Sequence, residues 1–200
     1  MVPGRKHRQP LPARRRLQLL TLPLAARAGW RVLPIAATAA PLAAYAADYM
    51  TLAEAQRGAF PGANAFVPVP VKLDADARRK LADVASPPGA RDPWVWRAMA
   101  DDKVLGTFML DAVIGKQEYI TYSVAFDPQG RILRLDVLQY RETHGWEIRN
   151  EAWRAQFAGK TAADPVAINA DIANISGATL SCRHVTDGVR RLLALRGLLG

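Results

Sequence analysis

The sequence predicts an α+β fold, a small antiparallel sheet with flanking helices. Three features carry that expectation. Residues 119–126 alternate, with Ile120, Tyr122, Val124 and Phe126 on one face. Asp127-Pro128-Gln129-Gly130 is a tight-turn sequence, and residues 132–140 alternate again behind it, which makes a hairpin. From Leu180 the period changes. Val185, Val189, Leu192, Leu193 and Leu195 fall near one face of a long helix.

The chain has 200 residues and half of them are apolar, enough for one folded domain and a leader. Its net charge of +9 is unevenly placed. Residues 1–47 hold eight of the 27 basic residues and no acidic one, which leaves 19 basic against 18 acidic residues in the remainder. A nucleic-acid-binding domain keeps its basic patch in the folded part, so the charge argues against that class. The basic stretch ends at Arg31, and an apolar run from Val32 closes on Ala44-Tyr45-Ala46-Ala47. Small residues at 44 and 46 suit a signal-peptidase site. Residues 1–47 therefore read as a signal peptide or, if uncleaved, an N-terminal anchor. The expected location is periplasmic or otherwise exported, with anchoring to the outer side of the cytoplasmic membrane if the leader stays. One cysteine, Cys182, allows no internal disulfide.

Residues 48–100 read as a lead-in packed on the domain. It is irregular over 48–71, where Pro61, Gly62, Pro68 and Pro70 fall, and it holds one helix over 73–84 with Asp74 as its cap. Ser86-Pro87-Pro88-Gly89 then breaks the chain. Residues 104–114 have strand composition, with a bulge expected near Gly106. A short helix is expected over 151–157, ended by Gly159.

The segment that carries chemistry is Ser176-Gly177-Ala178-Thr179-Leu180-Ser181, at the entrance to the last helix. The first turn of a helix has unpaired N–H groups and a partial positive charge, which suit a phosphate. Gly177 and Ala178 let the backbone come close to an anion, and Thr179 and Ser181 add hydroxyls. The same residue types also serve as ordinary helix caps, so residue pattern alone leaves both readings open.

These six residues resemble the S-G-A-T-x-[ST] flavinylation motif of the FMN-binding domain family. That family includes the C subunit of the sodium-pumping NADH:quinone oxidoreductase and the G subunit of the Rnf complex. Further segments resemble it in order. They are the Asp127–Gly130 hairpin turn, Glu142-Thr143-His144-Gly145-Trp146, and the stretch with Trp153, Gln156-Phe157 and Gly159-Lys160. The similarity covers about residues 100–200 and implies an FMN-binding domain over 101–200. It departs at Ala173, where relatives carry Asp, and at His144, where the sodium-pump relatives carry Pro.

The resemblance implies that Thr179 is esterified to the phosphate of FMN. A magnesium-dependent flavin transferase does this, with FAD as donor and AMP released. It also implies that Glu142, Thr143 and Gly145 lie at the flavin ring. Trp146 either stacks on the ring or sits in the core or rim. Lys160 either neutralises the phosphate or is simply solvated. His144 is a proton carrier or a bland surface residue. The function implied is that of an exported electron carrier exchanging electrons with a membrane-bound or periplasmic redox partner. The alternatives are a reductase acting directly on a small acceptor, for which no G-x-G-x-x-G run supplies a nucleotide site, and a redox-sensing or assembly module.

Overall fold

The computed structural model describes residues 47–84 and 92–199. Residues 1–46 of the leader and the Ser86–Gly89 break lie outside the described residues. The elements are β1 (Ala47–Asp48), α1 (Leu52–Ala59), β2 (Ala65–Val69), α2 (Ala75–Val84), β3 (Trp94–Ala100), β4 (Lys103–Ile114), β5 (Tyr119–Phe126), β6 (Ile132–Tyr140), α3 (Glu151–Ala155) and α4 (Thr179–Leu198), with one 3-10 turn at Trp146–Arg149. The strands form one six-stranded antiparallel sheet in the order β1-β6-β5-β4-β3-β2. This is the expected α+β class. No helix among the described residues is long and apolar enough to cross a membrane.

The sheet is covered on both faces. One face carries Met109, Val113, Tyr122, Val124 and Leu135, which pack with Val185, Val189 and Leu192 of α4. The other carries Phe108, Leu110, Ala125 and Leu138, which pack with Ala55 and Phe60 from α1 and the residue after it. Period-two alternation along β4 and β5 sorts the side chains between these two cores.

Strict alternation fails along β6, for a definite reason. The β5–β6 register shifts twice, so that Leu133 and Leu138 are passed over in the pairing. Each bulge moves the following residues by one position. Ile132, Leu135, Val137 and Tyr140 therefore all reach the α4 side, while Leu138 joins the other core. A simple alternation would have put Ile132 opposite Leu135. The β3–β4 register also shifts, with Ala98 opposite Gly106 and Met99 opposite Val104, so the bulge expected near Gly106 is at Leu105.

The lead-in is more ordered than the sequence suggested. It holds two helices rather than one, and β2 and β3 belong to the sheet itself. Helix α1 starts with a capping box in which Thr51 Oγ1 accepts from the Glu54 backbone and Glu54 accepts from the Thr51 backbone. Pro68 is tolerated in β2 because that strand is an edge. Asp74 caps α2 as expected, its Oδ1 accepting from Ala77 N at 2.8 Å.

Helix α4 comes unusually close to the sheet at one point. A Cβ on Gly188 would lie 2.2 Å from the Tyr122 hydroxyl. That hydroxyl donates to Asp111 Oδ2 at 2.8 Å, and the same oxygen accepts from the Arg191 guanidinium. Gly188→Ala is expected to cost about 2 kcal/mol by overpacking. Urea denaturation measures it in the wild-type and Tyr122→Phe backgrounds. The cost should be smaller where the hydroxyl is gone. Equal costs in both backgrounds would show that the contact is not what limits this position.

Candidate functional site

The chain enters α4 through a tight loop. Ala178 N–H donates to the Ile175 carbonyl at 3.1 Å, and Gly177 sits at φ +88°, a conformation open to glycine. The helix begins at Thr179 with Ala178 as its cap residue, and no side chain caps it. No acidic residue stands in its first turn. The ordinary capping role for Ser176 or Thr179 therefore does not apply here. A capping hydroxyl would have to occupy position 178, one residue before Thr179. The first-turn N–H groups are left without a side-chain acceptor.

Thr179 is exposed. Its Oγ1 accepts a hydrogen bond from Asn174 Nδ2 at 3.1 Å. The loop carrying Asn174 is anchored just upstream. Trp153 Nε1 donates to the Ala173 carbonyl, and Gln156 Oε1 accepts from the Ala173 N–H, both at 2.8 Å. One peptide position is thus gripped from both sides by α3 and the residue after it. Further back, Asp171 accepts from Lys160 Nζ at 2.8 Å, from Ala167 N at 2.8 Å and from Val166 N at 3.2 Å. Val166 is at φ +42°, a costly conformation for a β-branched residue. The Asp171 carboxylate holds it there. Burial pushes this carboxyl up, but Lys160 and the two backbone donors more than offset it and keep it below the usual range.

The facing wall hangs from the sheet. Glu142, just past β6, reaches back to the β4–β5 turn. Its Oε1 accepts from the Lys116 N–H, from Gln117 N at 2.6 Å and from Glu118 N at 2.9 Å. His184 of α4 grips the same turn, Nδ1 lying 2.7 Å from the Ile114 carbonyl and 3.1 Å from that of Gly115. Carbonyls only accept, so Nδ1 carries the proton. A hydroxyl relay links the two walls. Tyr140 donates to the His144 carbonyl. Its single proton is then used, so Ser181 Oγ donates to Tyr140 at 3.0 Å. Gly145, at φ +89°, lets this happen, because a Cβ there would stand 2.5 Å from the Tyr140 hydroxyl.

Between the walls lies a cleft of about 380 Å³, within the size range of small-ligand sites. Gly177 to Ser181 form one side of it, and Lys116, Gln117 and Glu142 to His144 the other. Seven residues expected from sequence meet here: Glu142, Thr143, Gly177, Ala178, Thr179, Leu180 and Ser181. Ser176 is exposed beside the cleft, and Gly145 is buried behind it.

Two expected residues stand elsewhere. Lys160 does not reach the cleft, because its ammonium is paired with Asp171. Lys116 is the lysine that lines it. Trp146 is 54 % exposed and borders a separate depression with Glu147, Arg149 and Asn150, the Arg149 guanidinium carbon 5.6 Å from its ring centre. The 3-10 turn that starts at Trp146 carries its ring away from the cleft lining. Cys182 is buried, and burial pushes its thiol up, away from reactivity. Sequence reasoning passed over Asn174, Tyr140, Lys116 and His184. Their only signals were nearness in sequence to the motif or to Glu142, and for Lys116 not even that.

The chemistry open to this arrangement is anion capture at an uncapped helix end beside an exposed hydroxyl. The geometry suits a phosphate. A Cβ at position 177 would meet nothing within 4 Å, so the loop is open on that side. Residues 115–194 match the family model described as FMN-binding domain. No curated protein matches the chain. The match is narrower than the span suggested by sequence, yet it contains both walls, from Lys116 to Ser181.

Glu142 gives this geometry a pH dependence. Burial pushes its carboxyl up, but three backbone N–H donors and the Lys116 charge outweigh that and hold it below its ordinary value of 4.5. A depressed carboxyl contributes stability that is present above the unfolded value and lost as pH falls through the folded one. Glu142→Gln is therefore expected to cost about 1 kcal/mol at pH 7, the scale of charge-assisted bonds discounted for solvent access. The gap to wild type should close below pH 4.5. Denaturation midpoints at pH 7 and at acid pH test this, and a gap that persists in acid would refute the role of the ionised carboxylate.

Proposed function

From a chain whose residues 115–194 match the family model described as FMN-binding domain, we propose an exported electron carrier with FMN joined through its phosphate to Thr179. The observation that carries this reading is the state of Thr179. Its hydroxyl is exposed at the first residue of a 20-residue helix whose cap residue, Ala178, has no side chain able to satisfy the first turn. A helix built only for stability would put its Ser or Thr one residue earlier.

The division of labour follows from the cleft. The first-turn N–H groups of α4 receive the phosphate, and Lys116 adds a positive charge on the opposite side. Leu180, 45 % exposed, offers apolar surface at the same end. Thr143 and the backbone around Glu142 line the opposite wall and would offer polar groups to the ring. The Glu142 carboxylate acts mainly on the protein, because its Oε1 is committed to the β4–β5 turn. FMN itself supplies the one- and two-electron chemistry, while the protein supplies position and electrostatics. The same assignment gives Ser181 a supporting part, since its proton is directed to Tyr140 rather than into the cleft.

Covalent attachment suits export. Outside the cytoplasm a dissociated cofactor is diluted and not replaced, whereas an ester-linked one stays with its protein. The leader composition supports export. The partners proposed are a magnesium-dependent flavin transferase that uses FAD, and a membrane-bound or periplasmic redox protein.

Intact-mass measurement tests the reading. The exported protein, co-produced with a flavin transferase, is expected to gain about 438 Da, the mass of FMN less water. Thr179→Ala should gain nothing. An unmodified wild type beside a modified control substrate would defeat the proposal.

A further inference from the structure

We propose that Asn174 is a positioning residue for FMN transfer, holding the Thr179 hydroxyl in the orientation from which it attacks. This rests on the flavinylation reading above. It concerns a contact that lies outside the S-G-A-T-x-[ST] segment.

A threonine hydroxyl at the start of a helix has several uses for its proton and lone pairs. It can turn back to a carbonyl of the preceding turn or toward a nearby backbone N–H. Either choice withdraws it from an incoming phosphorus. In this protein Asn174 Nδ2 donates to Thr179 Oγ1 at 3.1 Å. One lone pair is thereby directed at the loop, and the hydroxyl proton and the second lone pair are turned away from it. The Thr179 side chain is exposed and borders the cleft.

Asn174 can impose an orientation because it is itself held. The residue before it has its N–H bonded to Gln156 and its carbonyl bonded to Trp153. The residue after it accepts the turn bond from Ala178. The amide thus reaches across the base of the Ser176–Gly177 loop from an anchored peptide. Trp153 and Gln156 acquire a purpose in this scheme, since they fix the donor that fixes the acceptor.

In the transfer, the bond from Thr179 Oγ1 to the FMN-side phosphorus of FAD forms as the pyrophosphate P–O bond breaks. AMP leaves with the electrons of that bond, and the hydroxyl proton passes to a base of the transferase or to water. Asn174 does not take the proton, because a neutral amide is not a base at working pH. As a donor it orients the attacking oxygen and remains compatible with the negative phosphate. An aspartate in its place would accept rather than donate and would repel the incoming phosphates.

The test is steady-state flavinylation of full-length apo-protein by the transferase with FAD and magnesium, beside an unrelated control substrate. Asn174 is exposed, so Asn174→Ala should keep the wild-type melting temperature. Its kcat for modification is expected to fall about tenfold, as for a misoriented reactant, with KM for the apo-protein within about twofold of wild type. Asn174→Asp should fall further. Two variants with wild-type kcat, or a loss confined to KM, would overturn the positioning role while leaving Thr179 as the acceptor. A wild type that is not modified while the control is would overturn both proposals.

Discussion

Helix α4 lies against the sheet at the distance it does because position 188 has no side chain. The Tyr122 hydroxyl fills the space a Cβ would need. Around that contact, Asp111 of β4, Tyr122 of β5 and Arg191 of α4 form a buried polar cluster. Asp111 and Arg191 are almost wholly buried. Such a pair is a poor source of net stability, because desolvation consumes most of the attraction. What it does well is fix register. One guanidinium meets one carboxylate, and a slide of α4 by a residue would part the two buried charges. The N-terminus of α4, where the Thr179 hydroxyl sits, is placed by this contact nine residues further along the helix.

The other wall depends on an irregularity. The bulge at Leu138 lets Tyr140 share the α4 side with Leu135 and Val137, which strict alternation from Val137 would deny it. Once there, its hydroxyl ties the His144 carbonyl to Ser181, so the segment after β6 is held to the first turn of α4. Glu142 ties the same segment to the β4–β5 turn. The cleft walls are thus loops, but each is fastened by side chains to regular elements. Bulges next to functional sites re-aim side chains in this manner.

Much of this was legible in sequence and some was not. The hairpin and the last helix were plain, because β5 alternates cleanly and α4 keeps its apolar face through Leu195. The lead-in was not, because β2 is five residues long with a proline and buries none of them completely. Its apolar signal is that of a loop. The capping box of Thr51 and Glu54 was readable, and it marks α1. Within the site, contiguous residues were found and distant ones were not. Asn174 has no motif of its own, and Tyr140 finds Ser181 only through the fold, 41 residues on. Lys160 has a partner eleven residues on, and no periodicity links the two. For Trp146 the E-T-x-G resemblance left two readings open, stacking on the ring or a place in the core or rim. A left-handed residue at 145 leading into a 3-10 turn sends its side chain elsewhere, which one-dimensional adjacency does not reveal.

The start of α4 is where stability and the proposed chemistry compete. A serine, threonine or aspartate at position 178 would satisfy a first-turn N–H and add about 1 kcal/mol. Ala178 forgoes this, and it is buried, with a neighbour at Gly145 whose absent Cβ would lie 3.4 Å from its Cα. A capping side chain would also occupy the N–H groups that a phosphate needs. The loop is therefore stabilised from behind, through Ala173, Asp171 and Val166, rather than at the helix end itself. Support of that kind keeps the anion site open while holding the hydroxyl still. The W-x-x-Q pair at 153 and 156 and the Lys160–Asp171 bridge stand outside the cleft lining, yet they hold a loop whose helix end carries no side-chain cap.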